Sequence, residues 1–424
     1  MAQKDKNAWL WIPTLYFTQG IPYILVVTVS VIMYKRLGIG NAEIGLYTSW
    51  LYLPWVIKPL WSPIVDLNGT KRKWFLSMQL LISLAFLGIG LFLPSNAFFT
   101  ITLAFFWMVA FASATNDIAS DGYYMIGLTQ KKQSFFIGLR STFYRLAMVT
   151  GQGLLVIFAG FLEQKYGDNT KAWSMTMICS AVLMLVLTIS NFFATPKFEE
   201  DKTEDGEKPA GFLEVFASFF KKKQIGVALL FILTYRLGES QLVKMASPFL
   251  LDELEVGGLG YSTEAVGTIY GTIGVIMLSL GGILGGILIS KDGLKKWMLP
   301  MLLALNLPNA LYALLAITQS TSIYAVTGTV ILEQFGYGFG FAAFMIYLIY
   351  IAEGISKTSH YAIATGFMAL GMMLPGMLSG YIQEWLGYDG FFVWVVIAAL
   401  PAFFVLNYLK YPADYGKKSN EADA

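Results

Sequence analysis

Asp66-Leu67-Asn68-Gly69-Thr70-Lys71-Arg72-Lys73 stands between two apolar runs, Ile44–Val65 and Trp74–Leu93. A shorter echo, Asp292-Gly293-Leu294-Lys295-Lys296, stands between Thr263–Ile289 and Trp297–Thr318. Each is an acid, a glycine turn and a rim of cations. Each joins two stretches long enough to cross a bilayer, which takes about 20 mostly apolar residues. Short inner loops are often basic, but the Asp…Gly…Lys order at one place in each half of the chain is more specific than that.

Outward from these loops, eight more apolar runs complete a set of twelve: Trp9–Met33, Phe98–Leu128, Ser134–Leu162, Ala172–Thr195, Ile225–Leu250, Ser322–Ile351, Tyr361–Trp385 and Phe391–Leu409. Phe98–Leu128 is long and carries acids near its end, so it is expected to tilt or to leave the bilayer partway. The first run is too long for the apolar core of a secretory signal and reads as a span. Composition agrees: of 424 residues, 56% are hydrophobic and 13% charged, about half the charged share of a soluble domain. With 32 Phe, 23 Tyr and 11 Trp the chain is not disordered. The single Cys179 leaves no disulfide framework and no cysteine metal site. A net charge of +2 argues against a nucleic-acid partner.

Basic residues set the expected orientation. If the N-terminus is cytoplasmic, the outer segments hold only Lys35, Arg36, Lys165 and Lys171. Lys58, Arg140, Arg145, Arg236 and Lys244 stay within spans, and every other Lys and Arg is inside. Both termini are therefore expected in the cytoplasm. The one long polar segment, Pro196–Gln224, is a flexible linker whose end, Gly211–Phe220, reads as an amphipathic helix on the inner leaflet. It divides the chain into an N-terminal six-helix bundle (1–195), a linker (196–224) and a C-terminal six-helix bundle with a cytoplasmic tail (225–424). The expected fold class is an all-α integral membrane protein of twelve helices in two pseudo-symmetric bundles.

The duplicated loop resembles the signature loop of the major facilitator superfamily, whose architecture is also six plus six. That resemblance implies a cytoplasmic latch at Asp66, Gly69 and Lys71. Ser62 stands where the family usually has a glycine. A closer resemblance runs along nearly the whole chain. It is carried by Tyr16-Phe17-Thr18-Gln19-Gly20-Ile21-Pro22, Leu53-Pro54-Trp55, Lys58-Pro59-Leu60-Trp61-Ser62-Pro63, Asn116-Asp117-Ile118-Ala119-Ser120-Asp121, Tyr144-Arg145, Tyr235-Arg236-Leu237-Gly238-Glu239 and Gly336-Tyr337-Gly338-Phe339-Gly340-Phe341. Together these look like the AmpG branch, the muropeptide permeases, of which eukaryotic acetyl-coenzyme A transporters are distant relatives. The resemblance implies proton-driven import of N-acetylglucosaminyl-anhydro-N-acetylmuramyl units, with or without a stem peptide, across the bacterial inner membrane for cell-wall recycling. His360 departs from the family's more usual Gln before Tyr-Ala.

Charges at membrane depth point to function without the family, because each costs at least a few kcal/mol there and must be paired or face water. Asp117 and Asp121 are four apart and share a helix face. With Glu239 and Glu333 they are the candidate proton carriers. Lys58, Arg140 and Lys244 are candidate charge partners, and Arg140 and Arg145 are expected to face the two aspartates. Arg145 and Arg236 are the candidate forks for an anionic ligand. Tyr16, Gln19, Tyr144 and Tyr235 are candidate sugar contacts, by ring stacking and hydrogen bonds. Packing of helices is the competing role for each of these residues. His360 reads as a surface residue. Gly281, Gly282, Gly285, Gly286, Gly366, Gly376 and Gly380 read as sites of close helix contact.

The expected partners are thus a small anionic amino-sugar or peptide substrate, protons and lipid, with the chain acting as a monomer and needing no cofactor or metal. A proton-coupled carrier of another anionic or sugar-like metabolite, an acyl-coenzyme A included, is the alternative within transporters. A prenyltransferase-type enzyme would need a second Asp motif, which is absent. A channel would need no buried opposite charges.

Overall fold

The structure is a computed structural model of the chain, described for residues 8–128, 130–197, 212–354 and 357–417. Lipid offers no partner to backbone N–H and C=O groups, so each apolar run satisfies its own as a helix. Among the described residues there is no strand. The helices are α1 (Ala8–Arg36), α2 (Asn41–Trp50), α3 (Leu53–Ile57), α4 (Ser62–Leu67), α5 (Lys71–Phe92), α6 (Phe98–Gly127), α7 (130–166), α8 (Asn169–Ala194), α9 (Phe212–Phe220), α10 (Ile225–Leu251), α11 (Thr263–Asp292), α12 (Leu294–Thr318), α13 (Ile323–Ala352), α14 (Lys357–Ala398) and α15 (Leu400–Leu406).

Ten helices among the described residues are long and apolar enough to cross a membrane. One of them, Ser359–Leu406, runs through Gly387, where a φ of +71° breaks the helix, and so holds two of the expected spans. The expected span Ile44–Val65 is cut into α2, α3 and α4, with Pro54, Pro59 and Pro63 near the starts of its later pieces.

Two compact units emerge. The first comprises Met1–Ile39, Leu51–Glu207 and Ser262–Thr272, and the second Gly40–Trp50, Lys208–Tyr261 and Ile273–Ala424. In the first, α1 packs on α7, and α5 on α6 and α8. Trp11, Tyr16, Phe75 and Tyr123 centre one of its cores. Glu163 is a buried hub there. It accepts from Arg36 Nε (3.2 Å to each carboxylate oxygen), Trp173 Nε1 (2.8 Å) and Thr263 Oγ1 (2.6 Å). In the second unit, α11 and α12 pack on α13, and α2 and α10 pack on α14. A Cβ at Gly281 would overlap the Phe335 carbonyl oxygen, and one at Gly380 the Asn41 carbonyl. Gly285 and Gly376 are similarly tight, against Ala342 Cβ (2.8 Å) and Ser49 Oγ (2.6 Å). Gly286 departs from the expectation, since its Cβ position faces open space. It is five residues from Gly281, about 140° round the helix.

Both duplicated loops turn on left-handed glycines, Gly69 (φ +74°) and Gly293 (φ +89°). Thr70 caps α5 through Lys73 N (3.2 Å), and Lys71 Nζ donates to the Val65 carbonyl (3.1 Å). Asp292 accepts from Lys296 Nζ (2.9 Å) and Trp297 Nε1 (3.0 Å). The Asp66 side chain lies outside the described ones. The helix expected at Gly211–Phe220 is α9, with Phe219 buried and Phe216 and Phe220 exposed. His360 is not a surface residue: it is 4% exposed. The reason is α9 itself, whose Ser218 Oγ meets His360 Nε2 at 2.9 Å and whose Phe219 ring packs on the imidazole.

Candidate functional site

A cavity of ≈ 270 Å³ opens in the first unit, lined by Gln19 of α1 and by Arg140, Ser141 and Tyr144 of α7. Residues 140, 141 and 144 fall on one helix face. Gln19 meets them because α1 packs along α7. The crossing is close at Gly20, where an added Cβ would sit 2.6 Å from Ala147 Cβ.

The acids of α6 stand beside this cavity. Asp121 Oδ1 pairs with Arg140 Nη2 at 2.8 Å and accepts from the Tyr16 hydroxyl at 3.3 Å. The Arg140 guanidinium lies over the Tyr16 ring, 4.4 Å from its centroid. Asp117 accepts from Trp55 Nε1 at 3.1 Å, bonds to Gln19, and interacts electrostatically with Lys58 and Asp121. Gln19 is 5% exposed, and its Oε1 has no hydrogen-bond partner. A buried carbonyl oxygen without a donor costs roughly 1–3 kcal/mol, so it is an open place for a ligand's N–H or O–H. The cavity thus joins one cation already shared with an acid, one unfilled amide acceptor and the face of an aromatic pair, Tyr23 and Tyr144, at 6.3 Å.

Six expected residues therefore come together: Tyr16, Gln19, Asp117, Asp121, Arg140 and Tyr144. Lys58 joins them through Asp117. Arg145 does not reach the aspartates in any ion pair, and its Nη1 is buried without a partner. Five residues of helix turn it about 140° from Arg140. Trp55 and Ser141 were not among the expected site residues, although Leu53-Pro54-Trp55 is one of the stretches that carry the AmpG resemblance.

The second unit holds the other candidates. Arg236 is 6% exposed and donates to Glu239 Oε2 (2.8 Å) and to the Tyr337 hydroxyl (2.7 Å). It also lies over the rings of Tyr337 (4.8 Å) and Phe341 (5.2 Å). Glu333 accepts from Gln334 Nε2 (3.0 Å) and Tyr312 (3.5 Å). Lys244 donates to Thr48 Oγ1 at 3.0 Å. Tyr235 is fully buried, stacked on Phe344 at 4.6 Å with its hydroxyl bonded to the Gly340 carbonyl (2.9 Å). A sugar could stack there only by displacing Phe344, so Tyr235 is a core residue.

The Major Facilitator Superfamily profile matches residues 14–360. The chain belongs to that superfamily. Its relatives include a putative transporter AmpG 4 of Rickettsia felis, 26% identical over 412 residues, covering 93% of this chain and 94% of the relative. The anhydromuropeptide permease of Escherichia coli K12 is also 26% identical, over 421 residues, covering 97% of this chain and 81% of that one. These relatives bear out the AmpG resemblance read from the motifs. In fold, the chain matches the nucleoside transporter NupG (TM-score 0.73, 17% identity, 97% and 100% of the two chains) and a D-xylose-proton symporter (0.71, 11%, 97% and 98%). The chain is a multi-pass membrane transporter of a small molecule, not an enzyme.

Proposed function

We propose that the chain imports muropeptides, built on N-acetylglucosaminyl-anhydro-N-acetylmuramic acid, across the bacterial inner membrane by proton-coupled alternating access. The observation that carries this reading is Gln19 Oε1, buried and unpartnered beside Arg140 in a cavity flanked by Asp117 and Asp121. An amino-sugar brings what that place lacks: an amide or hydroxyl donor for Gln19, a carboxylate for arginine, and a ring for Tyr144. At ≈ 270 Å³ the cavity is at the small end of ligand pockets, which run about 300–1,000 Å³, and suits one sugar ring of the ligand.

Coupling follows from competition for Arg140. While Asp121 is ionised it holds the guanidinium; a proton on the aspartate frees the guanidinium for an anionic substrate. Asp117, one turn away and bonded by Gln19 and Trp55, links the proton to the ligand-facing amide. Both termini lie in the cytoplasm, and Asp66, Gly69 and Lys71 latch helices on that side. The names of the AmpG relatives support the substrate class.

Proteoliposomes with an inward proton gradient are expected to accumulate anhydromuropeptide, and a protonophore to stop accumulation. Uptake unchanged by the protonophore would remove the coupling. No uptake of any anhydromuropeptide, with uptake of another anionic metabolite, would replace the substrate.

A further inference from the structure

In the second unit the charge around Arg236 is locally unbalanced, because the unit's other buried cation, Lys244, turns to Thr48. Arg236 on α10 reaches across to α13 through Tyr337, while pairing with Glu239 one turn further along its own helix. Glu333 lies one turn before Tyr337 on α13. Arg236 with Tyr337 is thus one rung between the helices and Glu239 with Glu333 the next, and the two carboxylates interact electrostatically. They are 0% and 1% exposed. One arginine faces two acids. With both ionised, one negative charge is left over at membrane depth, a state that demands a counter-cation.

The surroundings offer oxygen. Glu239 Oε1 is buried with no partner. The α12 helix breaks after Asn306, and Pro308 opens its second part. On either side of the break, Asn306 Oδ1 and both amide atoms of Asn309 are buried without partners. Asn309 is fully buried and shares a helix face with Tyr312, three residues on, whose hydroxyl reaches Glu333. No group of three or more His, Cys, Asp or Glu lies together among the described residues. The donor set is therefore two carboxylates and neutral amide or hydroxyl oxygens. Hard cations take such oxygens, and the net charge of the pair with Arg236 balances a monovalent ion rather than a divalent one.

We infer that Glu239 and Glu333, with the Asn306 and Asn309 carbonyl oxygens, form a site for one alkali cation of lithium or sodium size. The site stands whatever the transported substrate is, and is separate from Asp117 and Asp121.

The test uses the purified full chain in detergent, without substrate. Lithium, sodium and potassium chloride are titrated against choline chloride at constant ionic strength, reading the thermal unfolding midpoint at pH 6 and pH 8. A bound ion stabilises by mass action. Lithium and sodium are expected to raise the midpoint saturably, and choline not at all. Glu333→Gln is expected to abolish the response. Glu333→Asp, which keeps the charge but shortens the reach, should shift the half-saturating concentration up by about 10-fold or more. Asp117→Asn should leave it unchanged. A response shared with choline, one that survives Glu333→Gln, or a pH effect with no alkali effect would each overturn the site. If Glu333→Gln does not fold, Glu333→Asp decides, and an unshifted titration overturns the site. Failure here leaves muropeptide uptake untouched, so the two readings fail separately.

Discussion

Arg140 pairs with Asp121 at 2.8 Å while its guanidinium lies 4.4 Å above the ring of Tyr16, which itself donates to the same aspartate. Three helices, α1, α6 and α7, thus converge on one cation at the edge of the cavity. The pair is about a third exposed on both sides, 33% and 37%. Such pairs contribute about 0–1 kcal/mol to stability. Asp121→Asn is therefore expected to move the unfolding midpoint by no more than a few degrees while lowering proton-driven accumulation strongly. A large loss of stability with transport intact would make the pair a structural tie.

Asp117→Asn is expected to abolish uphill transport and spare counterflow exchange. An amide keeps the hydrogen bond from Trp55 but carries no exchangeable charge. Proteoliposome counterflow measures this directly, and loss of both modes would give Asp117 a structural role.

Gln19→Leu should weaken ligand binding by about 2- to 10-fold, the worth of one hydrogen bond. Calorimetry on the purified protein reads it. Unchanged affinity would mean that Gln19 Oε1 meets no ligand.

Glu163 is buried with four donor atoms around it, on Arg36, Trp173 and Thr263. Glu163→Ala removes the acceptor that all of them share, and each buried donor left without one, Trp173 Nε1 and Thr263 Oγ1, costs roughly 1–3 kcal/mol. Its midpoint should fall well below that of Asp121→Asn. Equal effects would mean that the hub adds little.

Two glycines on α11 should separate cleanly. Gly281→Ala drives a methyl into the Phe335 carbonyl, an overpacking worth roughly 1–3 kcal/mol. Gly286→Ala meets open space and should be neutral or slightly stabilising. Equal destabilisation of both would contradict the packing of α11 on α13.

Much of the site was legible because charge in lipid is rare. Asp117, Asp121, Arg140, Arg236, Glu239 and Glu333 announced themselves by depth, and four-residue spacing put the two aspartates on one face. Trp55 did not, because one more aromatic among 66 carries no such signal. Arg140 and Arg145 looked alike in sequence, as did Gly281 and Gly286, and Tyr144 and Tyr235.

The sequence by itself determined that this chain crosses a membrane many times and that the crossings are helices. These follow from local physics: the apolar length a bilayer requires, the backbone bonds it forbids leaving open, and the cations that border its loops. Only the tertiary structure decided which of each pair of similar residues meets a partner. A step of five residues turns a side chain about 140° round its helix, and what waits in that direction depends on which helix packs there. That placed Arg140 against Asp121, turned Arg145 away, buried Tyr235 behind Phe344 and covered His360 with α9.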